Sequence, residues 1–281
     1  MAQGTFENVL NVATPTETTM TDNQYQIPGT IIDGHNHLGE HDPTGSKLLE
    51  LMDAHNVERT LIMGTPMRGN DNTVTATQAN PDRFVGGACL DPRDGKKAVD
   101  AVKHYADEGM RIIKLFPNFG YYPDDDAFGP FFDAIAEQKM GVLSHCGWLA
   151  PRAGVTAAYY SHPGRFEKVI RRLPELPFIM AHMGGIAGFL ESVMLATRTP
   201  NTYIDCSPGQ GYNVLNFAPA IAGAIPPEKL LWGLDCYDYD PWKYRYADAL
   251  AGAGFGPHFD KVWYSTARTF FEKIGAIPAE A

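Results

Sequence analysis

From Thr30 onward, short runs of apolar and β-branched residues alternate with stretches whose apolar positions recur at helical spacing. The runs predict eight strands: Thr30–His37, Arg59–Thr65, Phe84–Leu90, Met110–Phe116, Gly141–Cys146, Phe178–Met183, Thr202–Ser207 and Leu230–Asp235. The stretches between them predict helices over Ser46–Ala54, Thr73–Ala79, Lys96–Asp107, Phe131–Gln138, Arg165–Leu173, Ile186–Thr197, Phe217–Ala224 and Thr266–Ile274. Alternation of this kind calls for parallel strands joined by crossover helices. Eight units repeating about every 25–35 residues fit an α/β fold of the closed (β/α)8 TIM barrel type better than an open doubly wound sheet.

The connections point the same way. Segments entering strands are short, as at Asn56–Glu58 and Asn80–Asp82, whereas those leaving strands are long and rich in turn residues, as at Leu38–Gly45, Pro117–Pro130 and Gly147–Gly164. In a barrel the long set lies over the C-terminal ends of the strands, where such folds build their sites. No Gly/Ser linker interrupts residues 30–276, which predicts one domain, preceded by a polar N-terminal arm over 1–29 and followed by a tail over 277–281. The arm has neither the apolar stretch of a signal peptide nor the Arg-rich character of a transit peptide.

Composition narrows the partners. The chain carries 23 Lys+Arg against 33 Asp+Glu, a formal charge of −10, with no basic cluster, which argues against nucleic acid and anionic membrane surfaces. No apolar run approaches the roughly 18 residues needed to span a bilayer. The four cysteines are widely spaced and form no disulfide framework. A cytoplasmic protein with a small-molecule substrate is expected, and a homodimer or larger homo-oligomer is a reasonable assembly.

Candidate chemistry gathers at the strand ends. The first predicted strand closes with Asp33-Gly34-His35-Asn36-His37, and residues two apart on a strand share a face, so His35 and His37 are spaced to hold one metal. His145, His182 and Asp235 end strands five, six and eight in the same way. Nitrogen and carboxylate donors without thiolate suit one divalent metal, zinc first, with iron, manganese, nickel or cobalt as substitutes. Lys114, near the end of strand four, is either a buried partner of an interior acid such as Asp33 or Asp205, or a ligand for a substrate anion. On the long loops, Arg68 and Arg152 are candidate carboxylate clamps. Trp148 is a candidate substrate contact, with Phe119, Tyr121, Tyr122, Tyr212 and Tyr237 as further aromatic wall residues. Cys146 and Cys236 follow presumed ligands and read as packing residues. Neither a G-x-S-x-G elbow nor a nucleotide-binding glycine motif is present.

Together the Asp33–His37 start, His145 followed by Gly147, His182-Met183-Gly184-Gly185 and Gly233-Leu234-Asp235 resemble the amidohydrolase superfamily, in its amidohydrolase-related (amidohydrolase 2) branch, over Ile31 to Phe271. The resemblance implies that His35, His37, His145 and Asp235 bind one metal, and that His182 acts with Asp235 in catalysis. Lys114 matches the strand-four position at which binuclear members carry a carbamylated lysine; a mononuclear site with a plain ammonium is expected here. The branch contains hydrolases, which direct a metal-activated water at an amide, lactone, ester or activated C–C bond, and non-oxidative decarboxylases of aromatic or semialdehyde acids. A hydrolase of a small carboxylated or cyclic compound is expected, with decarboxylation as the alternative. The chain departs from the branch at its last helix, where Ser265-Thr266-Ala267 replaces the usual Asn-Ala start, and in the acidic, aromatic loop after Asp235.

Overall fold

The computed structural model describes residues 25–39, 42–149, 156–235 and 238–279. Its eight strands are β1 (Ile31–Asn36), β2 (Val57–Met63), β3 (Phe84–Cys89), β4 (Ile112–Leu115), β5 (Gly141–Ser144), β6 (Phe178–Met180), β7 (Thr202–Asp205) and β8 (Leu230–Leu231). They pair in sequence order, each parallel to the next. Backbone hydrogen bonds from Gly34 N to Trp232 O (2.9 Å) and from Leu234 N to His35 O (3.0 Å) bring the last strand round to the first. The expected (β/α)8 barrel is the fold.

Strand periodicity divides the core in two. Ile32, Leu61, Val85, Ile112, Leu143, Ile179, Tyr203 and Leu231, one from each strand, fill the inside, and Ala267, Phe270 and Phe271 of the last helix pack onto them. The alternate residues, such as Ile31, Ile62, Ile113, Val142 and Ile204, pack outward under the helices. Each fully buried side chain of this size contributes about 1.5–3 kcal/mol relative to exposure. One inward step above the apolar layer, the same period places Lys114 on β4, His145 after β5 and Asp205 on β7, so an apolar floor carries a polar layer at the C-terminal mouth. In β1 the register against β2 shifts between Asp33 and Asn36, an irregularity of the kind that re-aims side chains.

The differences from the sequence expectations have local causes. Helix Tyr239–Gly252 was not expected, because its buried face is Tyr239, Tyr246, Ala247, Ala249 and Leu250 with Lys243 among them, a weak contrast that opens on Asp-Pro. Where one helix over Phe217–Ala224 was expected, two form, Gln210–Phe217 and Pro219–Ala222. Strand β6 stops at Met180 because His182 and Met183 turn into the left-handed region, each with φ 56°. Asp235, beyond β8, is left-handed as well at φ 50°. Such a backbone costs roughly 1–2 kcal/mol per non-glycine residue, and two of these three residues are candidate catalytic groups. Among the described residues no helix is long and apolar enough to cross a membrane.

Candidate metal centre

Each candidate imidazole is defined by what its second nitrogen bonds. His35 is fully buried, and its Nδ1 donates to Asp205 Oδ2 at 2.9 Å. That leaves Nε2 as the acceptor: its lone pair takes a hydrogen bond from Lys114 Nζ at 3.0 Å and lies 3.5 Å from Asp235 Oδ1. His37 lies just past β1; its Nδ1 is 2.7 Å from the Met63 carbonyl, which can only accept, so Nδ1 carries the proton. Its Nε2 then faces Asp235 Oδ1, also at 3.5 Å.

The donor atoms of His35, His37 and Asp235 all lie within 4.8 Å of one another. Gaps of 3.5 Å are close to those between two ligands set about 2.0–2.1 Å from one ion. The charge state fits too. Burial, helped by the Lys114 charge, holds the His35 ring well below the usual imidazole range and pushes His37 down to about 3, so both are neutral ligands at neutral pH. Burial raises Asp235 to about 6 against the pull of Lys114, and a bound cation would lower it again. These residues can therefore hold a divalent ion.

The β5–β7 side is arranged differently. His145 Nε2 faces the Trp148 carbonyl at 3.3 Å, which places its proton there, and its Nδ1 accepts from His182 Nε2 at 3.0 Å. His182 Nδ1 meets Ser207 Oγ at 2.7 Å, and Ser207 Oγ in turn touches Asp205 Oδ1. Burial pushes His145 down to about 3 and His182 well below its usual value, so the row is neutral. A hydroxyl has one proton, so Ser207 serves His182 or Asp205 but not both at once. His145, expected among the metal ligands, lies outside both three-residue donor groups found among the described residues; the second group is His35, His182 and Asp205. Its lone pair is occupied by His182.

Lys114 is 1% exposed and hydrogen-bonds His35 rather than Asp33. Burial lowers its pKa, opposed by Asp235 and Asp205. Asp33 faces away from the site, accepting from the backbone of His35 (3.1 Å) and Leu234 (3.0 Å) and from Asn36 Nδ2 (2.8 Å) and Tyr239 OH (3.1 Å). Arg68 caps the Leu38 carbonyl through Nη1 and borders, with His37 and Thr65, a cavity of about 230 Å³. Trp148 is 65% exposed, while Gln210 grips its backbone from both sides, at 3.1 Å to N and 2.9 Å to O. Arg152, Tyr237 and Cys236 lie outside the described residues. Tyr212 packs on Trp242 and Tyr246, whereas Phe119 and Tyr121 line a second cavity of about 360 Å³ above β2–β4.

Ser207 and Gln210 escaped the sequence reading. Ser207 had a signal, since it follows Asp205 by two on a predicted strand and so shares its face; Gln210 had none.

A family model described as amidohydrolase matches residues 32–261. No curated protein matches the chain. Among solved structures, a probable 2-pyrone-4,6-dicarboxylic acid hydrolase from Acinetobacter baumannii, with citric acid bound, is similar at TM-score 0.63 and 16% identity, covering 88% of this chain and 99% of that one. The 5-carboxyvanillate decarboxylase of Sphingomonas paucimobilis is similar at TM-score 0.56 and 20% identity, covering 82% of each chain. That of Novosphingobium aromaticivorans, with bound manganese, reaches TM-score 0.57 at 17% identity over 82% of this chain and 81% of that one. At these identities the likeness speaks for the barrel alone. The family match spans most of the sequence and includes every residue of the site described above: the chain belongs to the amidohydrolase family.

Proposed function

We propose that the protein is a metal-dependent hydrolase that cleaves an amide, lactone, ester or activated C–C bond in a small carboxylated or cyclic compound. The observation that carries this reading is the position of Asp235: Oδ1 lies 3.5 Å from both His35 Nε2 and His37 Nε2, while Oδ2 lies 3.8 Å from His182 Nε2. When bound there, a divalent ion acidifies water and polarises a carbonyl; zinc suits the nitrogen and oxygen donors, with manganese, found in one decarboxylase of this fold, as a substitute.

The chain's own groups account for the proton traffic. Asp235 takes the proton of the attacking water, and His182 gives its Nε2 proton to the leaving group and recovers one from Asp235 Oδ2, 3.8 Å away. Ser207 holds His182 Nδ1 so that Nε2 points at the site. His145 keeps the His182 ring in place and joins the ligand set if that hydrogen bond opens. Lys114 in the polar layer and Arg68 beside His37 supply positive charge for a substrate carboxylate, with Arg152 as a further clamp from the loop after β5, and Trp148 shields the mouth. The reading includes one catalytic domain over 30–276, a small-molecule substrate and a cytoplasmic setting.

Decarboxylation of an aromatic or semialdehyde acid is the second reading, supported by the decarboxylases of the same fold. Turnover in 18O-labelled water separates the two. The metal-loaded protein, screened against carboxylated lactones, amides and aromatic acids, should place one solvent oxygen in the organic product; release of carbon dioxide without label in that product would overturn the hydrolase.

A further inference from the structure

The Trp148 carbonyl, His145, His182, Ser207 and Asp205 form one continuous row on the β5–β7 side, with steps of 3.3, 3.0 and 2.7 Å ending on the Ser207–Asp205 contact. Its protons can be arranged in two ways. In the first, Ser207 donates to His182 Nδ1, His182 Nε2 donates to His145 Nδ1, and His145 Nε2 donates to the Trp148 carbonyl. In the second, Ser207 donates to Asp205, His182 Nδ1 donates to Ser207, and His145 Nδ1 donates to His182 Nε2. Both hold the same three protons, one on each of Ser207, His182 and His145, so no charge changes between them. What they offer the site differs. His182 Nε2, 3.8 Å from Asp235 Oδ2, carries a proton in the first arrangement and is an acceptor in the second.

The two ends of the row pull in opposite directions. Asp205 is a strong acceptor and draws the Ser207 proton, which favours the second arrangement, although it is already served by the amides of His182 (3.1 Å) and Ser207 (2.9 Å) and by His35 Nδ1 (2.9 Å). The Trp148 carbonyl favours the first, because the second would set its lone pairs against those of His145 Nε2. That preference holds only while the carbonyl stays in place, and Gln210 keeps it there. Gln210 Nε2 donates to Trp148 O at 2.9 Å and Oε1 accepts from Trp148 N at 3.1 Å, so the amide cannot flip without facing donor with donor. The slot for this amide is made by two glycines at positive φ, Gly147 (86°) and Gly185 (73°). A Cβ on Gly147 would lie 2.7 Å from Gln210 Nε2, and one on Gly185 would lie 3.0 Å from Oε1. We infer that Gln210 is a positioning residue for His182: by fixing the Trp148 carbonyl it keeps the His145 proton on Nε2, and through His145 Nδ1 it keeps the His182 proton on Nε2. The nitrogen that carries an imidazole proton is set by the partner of the other nitrogen, and here that control passes through two rings. Its catalytic consequence rests on the acid role given to His182 above.

Nitrogen-15 NMR of the full chain, histidine-labelled and loaded with zinc, reads each tautomer directly; the His145 and His182 signals are those that His145→Gln and His182→Gln remove. The wild type should carry Nε2–H on both rings. Gln210→Met, which fills the slot without a donor, should move both rings to Nδ1–H and lower kcat about 10–100-fold, with KM and metal content unchanged. Gln210→Glu keeps the acceptor for Trp148 N but sets a carboxylate oxygen against Trp148 O, so a chain of nearly the same shape should show the same shift. A packing role alone would leave the tautomers as they are. Folded variants that both keep Nε2–H would overturn the inference, the Gly147 carbonyl, which also lies near the His145 ring, then being enough to hold the proton. Nδ1–H on these rings in the wild type would overturn it as well. Shifted tautomers in a protein that releases carbon dioxide without solvent label would remove the hydrolase and leave the control by Gln210 standing.

Discussion

The two flanks of the barrel mouth put the same side chain to different uses. Beside β1, His35 and His37 spend Nδ1 on pure acceptors, Asp205 and the Met63 carbonyl, and leave both Nε2 lone pairs facing Asp235. Beside β5 to β7, His145 and His182 spend their nitrogens on each other, on Trp148 O and on Ser207. Both pairs are buried and neutral, so burial alone does not separate them. The hydrogen bond at the far nitrogen does: it leaves one pair able to ligate a cation and ties the other into a row of hydrogen bonds.

Removing a ligand on the β1 flank should have the largest effect. His35→Ala or His37→Ala should take bound metal from about one ion per chain to near none and lower activity by about 10⁴-fold or more, as read by elemental analysis and turnover. His182→Ala breaks the other flank and should lower kcat by about 10²–10³-fold with the metal retained; parallel loss of metal would erase the distinction between the flanks. Asp205→Asn weakens the acceptor that orients His35 and should reduce metal affinity about 10–100-fold in a chelator competition.

The smallest effect should come from Lys114→Met. It removes an ammonium that competes for the His35 lone pair and repels a cation, so metal affinity should tighten by about tenfold. Exchanging this buried charge for an apolar chain of similar length should leave the thermal midpoint unchanged or higher. Two ions per chain in the wild type, one of them lost in this variant, would instead make the lysine a bridge between metals.

Much of this was legible in the chain. Strand runs with both faces buried are strongly apolar, which is why all eight were found and their ends misplaced by only a few residues. The candidate groups His35, His37, Lys114, His145, His182 and Asp235 were visible because each sits at or near a predicted strand end. Helix Tyr239–Gly252 was hidden because aromatic rings and alanines do the packing that leucines do elsewhere. Gln210 was hidden because nothing near it in sequence marks the side chain that grips Trp148, 62 positions away.

The sequence by itself determined the barrel and the inventory of donors, since hydrophobic period and strand-end chemistry are local properties of the chain. Only the tertiary structure decided what each donor is free to do. The proton on an imidazole goes wherever the second nitrogen finds an acceptor, and for His35 that acceptor, Asp205, lies 170 positions away until the barrel closes.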